Sequence, residues 1–223
     1  MAAQQLSIVV PALNEAPRIG QALEALAPLR RRGHQVVVVD GGSTDGTPAL
    51  ARPACDLLLS APAGRALQMN AGARAASGDA LLFLHADTRL PERVDALVLS
   101  SLEEHSWGRF DVAIEGRHPM LRAIAAMMNL RSRLTGIATG DQAIFVRRDA
   151  FPGFAEIPLM EDIAFSARMK RLSRPACRRE RVVTSGRRWE EHGVWRTMLL
   201  MWRLRWRYFR GASPEALARL YGR

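Results

Sequence analysis

The chain has 223 residues and a net charge of +10, and 48% of its residues are apolar and 24% are charged. This is enough apolar material for one large domain, and the two cysteines exclude a disulfide framework and favour a reducing cytoplasm. No run approaches the roughly 20 apolar residues of a membrane span, and the first residues lack the basic segment of a secretory signal, so we expect neither.

The first half of the chain alternates strand and helix patterns. Short apolar runs predict strands at residues 6–10, 36–39 and 57–59. Between the first two strands, Ile19, Leu23 and Leu26 fall on one face of a helix that opens near Pro17. Another helix is predicted from Arg65 through about Ala76. Repeated β-α units of this length predict an α/β fold with a mostly parallel sheet and helices on both faces.

The stretch Gly78–Thr88 is the centre of this pattern. Its five apolar residues, Ala80–Leu84, predict a strand buried on both faces in the middle of a parallel sheet. His85 and Asp87 follow at the carboxyl end of the strand, where open α/β sheets bind their ligands. Taken alone, Asp87 could equally cap a helix that begins around Pro91.

The second half of the chain is less regular. Helices are predicted over residues 91–104, 120–128 and 160–172, and strands over residues 108–115 and 143–146. In the strand at 108–115 the sequence pattern alternates along the chain, which predicts that one face of the strand is solvated. The helix at 120–128 has a broad apolar face with three methionines, which we interpret as core or as the lining of a groove rather than as a cofactor site.

Several polar residues follow the predicted strands and suit a phosphorylated ligand. Asp40 could accept hydrogen bonds from a nucleoside, and the glycine-rich loop 41–47 would let a ligand approach the backbone. Asp87 is a hard oxygen ligand for Mg²⁺ or Mn²⁺, and Arg65 could hold phosphate oxygens. The loop has neither the dinucleotide fingerprint nor the lysine of a P-loop, which argues against a dinucleotide enzyme or an NTPase. Each acid taken singly is more often a cap or turn residue.

The order of these pieces is more specific than any one of them. Val9-Val10-Pro11-Ala12-Leu13-Asn14-Glu15, Val38-Val39-Asp40-Gly41-Gly42-Ser43-Thr44-Asp45, His85-Ala86-Asp87 and Glu161-Asp162 occur in sequence. This order resembles the family 2 glycosyltransferases, from about residue 6 to at least residue 192. The resemblance implies the GT-A fold, a nucleotide-diphosphate sugar as donor and a divalent metal, Mg²⁺ or Mn²⁺.

The resemblance also implies roles for particular residues. The nucleoside pocket would be lined by Pro11, Asn14, Glu15 and Asp40, with Arg65 near the base or phosphates. Asp87 would be the metal-binding end of the family's Asp-x-Asp motif. The first aspartate of that motif usually contacts the nucleotide, and His85 stands at its position in this chain. Asp162 would be the catalytic base of the Glu-Asp motif, next to Glu161. His192 is a candidate second metal ligand, because GT-A enzymes often bring a late histidine back to the metal.

The activity implied is an inverting transfer of a sugar to an acceptor hydroxyl. Uridine is the commonest base in the family, so a UDP-sugar is the expected donor, whereas the acceptor, a small molecule or a lipid-linked one, is left open. Ser185 stands where processive members have glutamine, so a polymer synthase is not expected. The compact size resembles the small soluble branch of the family, some of whose members carry names that link them to arsenosugar or radical-SAM gene neighbourhoods.

Two other classes of protein remain as alternatives. A nucleotidyltransferase would share the sheet and the metal, but it normally has a glycine-rich loop with lysine or arginine after the first strand, where this chain has Pro11-Ala12-Leu13-Asn14. A basic protein that binds nucleic acid or a membrane surface without catalysis is suggested by the charge of +10. We expect no specific nucleic-acid partner. A family member that binds but does not catalyse is also open.

The last part of the chain is predicted as a separate feature. Residues 1–193 would form the glycosyltransferase domain, and residues 194–223 basic amphipathic helices packed on it or extending from it. One apolar stripe at helical spacing consists of Trp195, Met198, Leu199, Trp202, Trp206 and Phe209, with arginines beside it. This stripe could close the core or lie at an anionic leaflet. We expect part of it to stay accessible and to give weak peripheral contact with the inner face of the membrane.

Overall fold

The computed structural model describes residues 5–222. The strands are Leu6–Ala12 (β1), Gln35–Asp40 (β2), Leu57–Ser60 (β3), Ala80–Phe83 (β4), Thr88–Arg89 (β5), Trp107–Glu115 (β6), Phe145–Arg147 (β7) and Ala176–Ser185 (β8). The helices are Ala16–Arg31 (α1), Thr47–Ala51 (α2), Arg65–Ala75 (α3), Val94–Glu104 (α4), Met120–Thr135 (α5), Glu161–Met169 (α6), Arg187–His192 (α7), Val194–Phe209 (α8) and Pro214–Tyr221 (α9). Short 3₁₀ turns occur at Arg52–Ala54, Gly140–Gln142 and Arg148–Ala150.

The strands form one eight-stranded sheet in the order β3-β2-β1-β4-β7-β6-β8-β5. The four strands β3, β2, β1 and β4 are parallel, as the alternating β-α pattern predicts. Beyond β4 the sheet is mixed, because β7 runs antiparallel to both β4 and β6, whereas β6 and β8 are parallel. The predicted α/β class with helices around a mostly parallel sheet is confirmed. The prediction that β4 lies in the middle of a parallel sheet is wrong: it is the boundary strand, with β1 parallel on one side and β7 antiparallel on the other.

Two apolar layers cover the two faces of this sheet. Successive residues of β1 point to opposite faces, so Ile8 packs with Ile19 and Leu23 of α1, whereas Val9 packs with Met69 of α3. Helix α3 approaches β1 closely, because a Cβ at Gly72 would collide with the side chain of Val9. The carboxyl ends of β1, β2 and β4 are thereby held at one edge of the sheet.

Three sequence predictions are corrected in detail. Helix α4 begins at Val94 rather than at Pro91, because Arg93 has a left-handed backbone with φ 53°. Strand β7 begins at Phe145 rather than at residue 143, since Ala143 has φ 45°. The expected solvated face of β6 is absent at Arg109, which is fully buried, forms an ion pair with Asp111 and donates to a carbonyl of α5.

The last two helices pack against the region around α6. Leu204 of α8 and Leu217 of α9 join Ile137, Met160 and Ile163 in a small apolar cluster. The predicted tryptophan stripe lies on the other side of α8: Trp195, Leu199, Trp202, Trp206 and Phe209 are each between 57 and 68% exposed. The interpretation that this stripe closes the core is therefore wrong. Within residues 5–222, none of the helices has the length and apolar character needed to cross a membrane.

Candidate active site

The first two sequence motifs meet at the carboxyl edge of the sheet. The loop after β1 and the loop after β2 are joined by hydrogen bonds: Asn14 N donates to Ser43 Oγ at 2.8 Å, and Thr44 N donates to Asn14 Oδ1 at 2.9 Å. Glu15 N donates to Thr47 Oγ1 at 2.8 Å. Pro11 lies near the end of β1, opposite Val39 of β2. The structure thus brings Pro11, Asn14 and Glu15 together with the loop that follows Asp40.

Asp40 is the last residue of β2 and is only 6% exposed. Its Oδ2 accepts hydrogen bonds from Gly42 N at 2.9 Å and Ser43 N at 3.0 Å, which fixes the carboxylate in the loop. Within the part of the chain that the structure describes, its Oδ1 is buried and has no hydrogen-bond partner. A buried acceptor of this kind is costly unless a ligand donates to it.

His85 and Asp87 leave the end of β4 in different environments. His85 is mostly buried, and its Nδ1 lies 3.6 Å from Asp141 Oδ1. Its Nε2 faces the backbone of Gly140, where an added Cβ would come within 2.7 Å of it. Asp87 is half-buried, and its Oδ1 accepts from the hydroxyl of Thr88 at 3.3 Å.

Asp162 lies in the first turn of α6 and is held by two backbone groups. Its Oδ2 accepts from Gly140 N at 3.0 Å, and its Oδ1 accepts from Ile163 N at 2.7 Å. The turn before it is set by Met160, whose φ is 72°. Burial raises the pKa of Asp162 to about 6, and the neighbouring carboxylate of Glu161 adds to the rise. The side chain therefore does more than cap its own helix, because it also bridges to the turn at Gly140.

Glu161 and Arg65 form an ion pair beside Asp162. The carboxylate of Glu161 is 4% exposed, and its Oε1 lies 3.4 Å from Nη1 of Arg65, whose side chain is 48% exposed. Desolvation works against the charge of Arg65, but the carboxylates of Glu161, Asp141 and Asp162 outweigh it and raise its pKa. Arg65, at the start of α3, is thus within the field of all three carboxylates.

A cavity of about 830 Å³ adjoins these groups. Arg65, Asp141, Glu161 and Asp162 belong to its lining, together with Arg131 of α5. Much of the remaining wall is apolar and comes from α5, the α6 region and α8. The apolar face of α5 serves both as core and as the lining of a groove, as the sequence analysis proposed. Leu121 and Ile124 are buried, and Ile124, Met127 and Met128 line the cavity.

Comparison with known proteins assigns this chain to a family. The profile described as Glycosyl transferase family 2 matches residues 7–155, more than half of the chain. The chain belongs to glycosyl transferase family 2. It is therefore an enzyme of the glycosyltransferase type, and the family assignment replaces the nucleotidyltransferase and nucleic-acid-binding alternatives. Among curated proteins, none matches the sequence.

Solved structures support the fold of this family 2 member. A mannosyltransferase from Pyrobaculum calidifontis in complex with GDP-mannose and Mn²⁺ has a TM-score of 0.69 at 23% identity, over 98% of this chain and 69% of that one. Glucosyl-3-phosphoglycerate synthase from Mycobacterium tuberculosis, with Mn²⁺, UDP and its product, has a TM-score of 0.60 at 19% identity, over 82% and 71%. TarS from S. aureus has a TM-score of 0.61 at 18% identity, over 82% and 60%. The predicted GT-A-type fold is confirmed.

Among the described residues of this family 2 enzyme, few side chains are placed to bind a metal ion. Within residues 5–222, no group of three or more His, Cys, Asp or Glu side chains is placed to hold an ion. His192 is exposed at the end of α7, and its Nδ1 lies 3.2 Å from the carbonyl of Arg188. If Nδ1 carries the proton, the lone pair is on Nε2, the atom that would bind a metal. The assignments of Asp87 and His192 as ligands stay predictions.

Two residues of the site were missed by the sequence analysis of this family 2 enzyme. Asp141 Oδ1 lies 3.6 Å from the ring of His85. Desolvation opposes the ionisation of Asp141, but the interaction with His85 and the charges of Arg65 and Arg131 hold its pKa below the usual value. The signal for Asp141 was present, because Thr139-Gly140-Asp141-Gln142 is a polar turn directly before an apolar run. Arg131 is one of many arginines, and no pattern distinguishes it from those that face solvent.

Proposed function

We propose that the protein is an inverting glycosyltransferase that moves a sugar from a nucleoside-diphosphate donor to an acceptor hydroxyl, with Asp162 as the base. One observation carries this proposal. A carboxylate with a raised pKa is held by two backbone N–H groups in the lining of a cavity large enough for an acceptor. A base whose pKa lies near the working pH is both ionised and able to accept a proton.

The chemical step follows from that position. Asp162 takes the proton of the acceptor hydroxyl while the acceptor oxygen bonds to the anomeric carbon. The bond between the anomeric carbon and the oxygen of the β-phosphate breaks on the opposite face, and its electron pair leaves with the diphosphate. Arg65 is half exposed, lies beside Glu161 and acts electrostatically on Asp162, so it would take up part of the charge on the departing phosphate.

The donor would bind across the ends of β1, β2 and β4. Asp40 supports this placement, because its buried Oδ1 has no hydrogen-bond partner among the described residues and could accept from the nucleoside, while Oδ2 is already bonded. Pro11, Asn14 and Glu15 would form the wall on the β1 side, and His85 would lie toward the phosphates. The comparison structures contain GDP-mannose in one case and UDP in another. We propose a UDP-sugar as donor and treat GDP-sugars as the alternative for the test.

Asp87 would hold the divalent ion, Mg²⁺ or Mn²⁺. A single half-buried carboxylate fits an ion that takes most of its ligands from a diphosphate and water, which is how Mg²⁺ is commonly bound. Structures similar to this chain are complexes with Mn²⁺ or Mg²⁺ together with UDP or GDP-mannose. When bound, the ion would neutralise charge on the leaving diphosphate. His192 remains the proposed second ligand.

The experiment that tests the donor class is a thermal-shift panel of UDP-, GDP- and dTDP-sugars with Mn²⁺ or Mg²⁺. A ligand that binds only the folded state raises the melting temperature by mass action. We expect one base to give a metal-dependent shift and the others little. No shift with any sugar nucleotide at millimolar concentration would contradict the proposal.

We also propose that the exposed stripe of α8 contacts an anionic lipid surface, which would place the cytoplasmic enzyme at the inner face of the membrane. Tryptophan favours the headgroup level, and Arg196, Arg203 and Arg210 are exposed beside the stripe. Co-sedimentation with vesicles of zwitterionic lipid, with and without anionic lipid, tests this. Trp195→Glu and Trp206→Glu should abolish pelleting, whereas Leu172→Glu, at an exposed site after α6, should not. Equal pelleting of all variants would contradict the contact.

A further inference from the structure

Part of the lining of the cavity beside Asp162 is unsuited to a small polar acceptor. This apolar part includes Ile124, Met127, Met128, Met198, Met201 and Trp202. These side chains offer no strong hydrogen-bond donors or acceptors besides the indole N–H, so a hydroxyl placed among them would lose its hydration without replacement. Methionine side chains adapt to irregular apolar ligands. The apolar part of the lining therefore suits a hydrocarbon chain.

Arg131 gives the cavity a cation that makes no direct ion pair among the described residues, although the charges of Asp162 and Asp141 act on it. Its Nε and Nη2 are buried, and neither has a hydrogen-bond partner among the described residues. Arg65, another arginine of the lining, is already bonded to Glu161. Two buried guanidinium nitrogens without partners are costly, and an anionic group of a ligand would satisfy them once the side chain turns toward it. Lys170 and Arg205 also line the cavity and add positive charge.

The cavity is also continuous with the exposed stripe of α8. Trp202 and Phe209 line the cavity and are 57% and 68% exposed, so the same two residues form part of the wall and part of the outer surface. A hydrocarbon chain that enters at this edge would pass from an apolar surface into an apolar cavity. Such a chain would not have to cross a polar surface on its way from the stripe into the cavity.

We infer that the acceptor is an anionic amphiphile: a hydrocarbon chain joined to a phosphate-like group, with the accepting hydroxyl beside that group. The chain would lie between α5 and α8, the anion would bind Arg131, and the hydroxyl would face Asp162. This inference rests on the proposed function, because it takes Asp162 as the base.

The test uses octyl phosphate as a monomeric probe. Isothermal titration of the full chain with octyl phosphate should show saturable binding, accompanied by a change in tryptophan emission because Trp189 and Trp202 line the cavity. Inorganic phosphate tests the anion alone, and octyl glucoside tests the chain without the charge. Both should bind at least about tenfold more weakly, because each lacks one of the two interactions. Equal affinity for octyl glucoside would overturn the need for an anion, and equal affinity for inorganic phosphate the need for a chain.

Variants locate the probe in the cavity. Arg131→Gln should weaken octyl phosphate binding by roughly tenfold to hundredfold, the range for loss of a hydrogen bond to a charged group. The matched control is Arg122→Gln, which removes an exposed arginine of α5 that does not line the cavity. Met127→Glu should also weaken binding, whereas Leu134→Glu, an exposed site on α5 outside the cavity, should not. Should Arg122→Gln weaken binding as much as Arg131→Gln, the probe is on the surface and the inference is overturned.

Nucleotide binding measured on the same samples separates this inference from the proposed function. Unchanged affinity of Arg131→Gln for UDP or GDP with Mn²⁺ supports Arg131 as an acceptor-side residue. An equal loss of nucleotide and octyl phosphate affinity would assign Arg131 to the donor and overturn the inference alone. Octyl phosphate binding without any nucleotide binding in the wild type would overturn the proposed function instead. Thermal melting of each variant verifies that it is folded.

Discussion

The backbone N–H of Gly140 donates to Oδ2 of Asp162 across 3.0 Å, and this bond joins parts of the chain that are far apart in sequence. Gly140 also packs against the ring of His85, which follows β4. The turn at Gly140–Gln142 therefore lies between the strand end that would meet the donor and the carboxylate that would act on the acceptor. The position of Asp162 relative to the donor depends on this turn.

Gly140→Ala tests that dependence. The added Cβ would approach His85 Nε2 to 2.7 Å, so the ring of His85 or the turn must shift, and a shift of the turn would carry its N–H away from Asp162. Because a displacement of about 1 Å can cost 10²-fold in rate, we expect kcat to fall by up to that factor with a smaller change in donor affinity. Gly20→Ala is the matched control, since its Cβ meets nothing within 4 Å in α1. Unchanged turnover of Gly140→Ala would show that the turn does not position the base.

The raised pKa of Asp162 predicts opposite effects of pH on activity and stability. Transfer needs the ionised carboxylate, so kcat should fall about tenfold per pH unit below the pKa of about 6. The folded-state pKa lies above the usual value of 3.8, so between about pH 4 and pH 6 the folded protein keeps a proton that the unfolded chain has lost. As pH rises through this window, we therefore expect the melting temperature of the wild type to fall relative to that of Asp162→Asn, whose amide does not titrate. The amide's loss of one of the two backbone hydrogen bonds is the same at every pH, so a difference between the two proteins that does not change with pH would contradict the pKa.

Asp40→Asn tests the donor site. The amide has one oxygen where the carboxylate has two, so it cannot both bind the loop and accept strongly from the nucleoside. A hydrogen bond to a charged group is worth about 1.5–3 kcal/mol, so we expect nucleotide affinity to fall roughly tenfold to hundredfold by titration calorimetry. Asp79→Asn, before the opposite end of β4, is the control. Equal affinities of Asp40→Asn and the wild type would remove Asp40 from the nucleoside pocket.

Asp87→Ala tests the metal assignment. The residue is half-buried at the edge of the sheet, so the fold should remain intact while Mn²⁺-dependent UDP binding weakens. His192→Ala should weaken the same Mn²⁺-dependent part of the binding if His192 is the second ligand. The measurement is UDP affinity with Mn²⁺ and with a chelator. Unchanged Mn²⁺-dependent affinity in folded Asp87→Ala would mean that the ion is held elsewhere.

Local sequence patterns were enough to predict the parallel half of the sheet and most of the residues of the candidate donor site. Short apolar runs that end in Asn14-Glu15, Asp40 and His85-Ala86-Asp87 predicted strands and put these residues at one edge of the sheet, where the structure has them. The antiparallel insertion of β7 beside β4 was not predictable, because its pairing depends on contacts distant in sequence.

The acceptor side was less accessible to sequence reasoning for a related reason. The pairing of Arg65 with Glu161 joins residues 96 positions apart, and nothing in either local pattern marks it. Arg131 differs from the solvent-facing arginines by its partial burial in the cavity lining, where the charges of Asp162 and Asp141 act on it. The stripe of α8 was visible, but which side of that helix packs inward depended on where Leu204 meets Ile137 and Ile163.

The most direct measurement of the central claim compares Asp162→Asn with the wild type in transfer and in donor binding. The rate is the release of nucleoside diphosphate from the sugar nucleotide that the thermal-shift panel selects, and the affinity is measured by titration under the same conditions. Asp149→Asn, at an exposed site paired with Arg147, is the control for loss of a carboxylate. We predict that Asp162→Asn lowers kcat by roughly 10²-fold or more while the Kd for the donor is unchanged. Turnover of Asp162→Asn at the wild-type rate would contradict the assignment of Asp162 as the base.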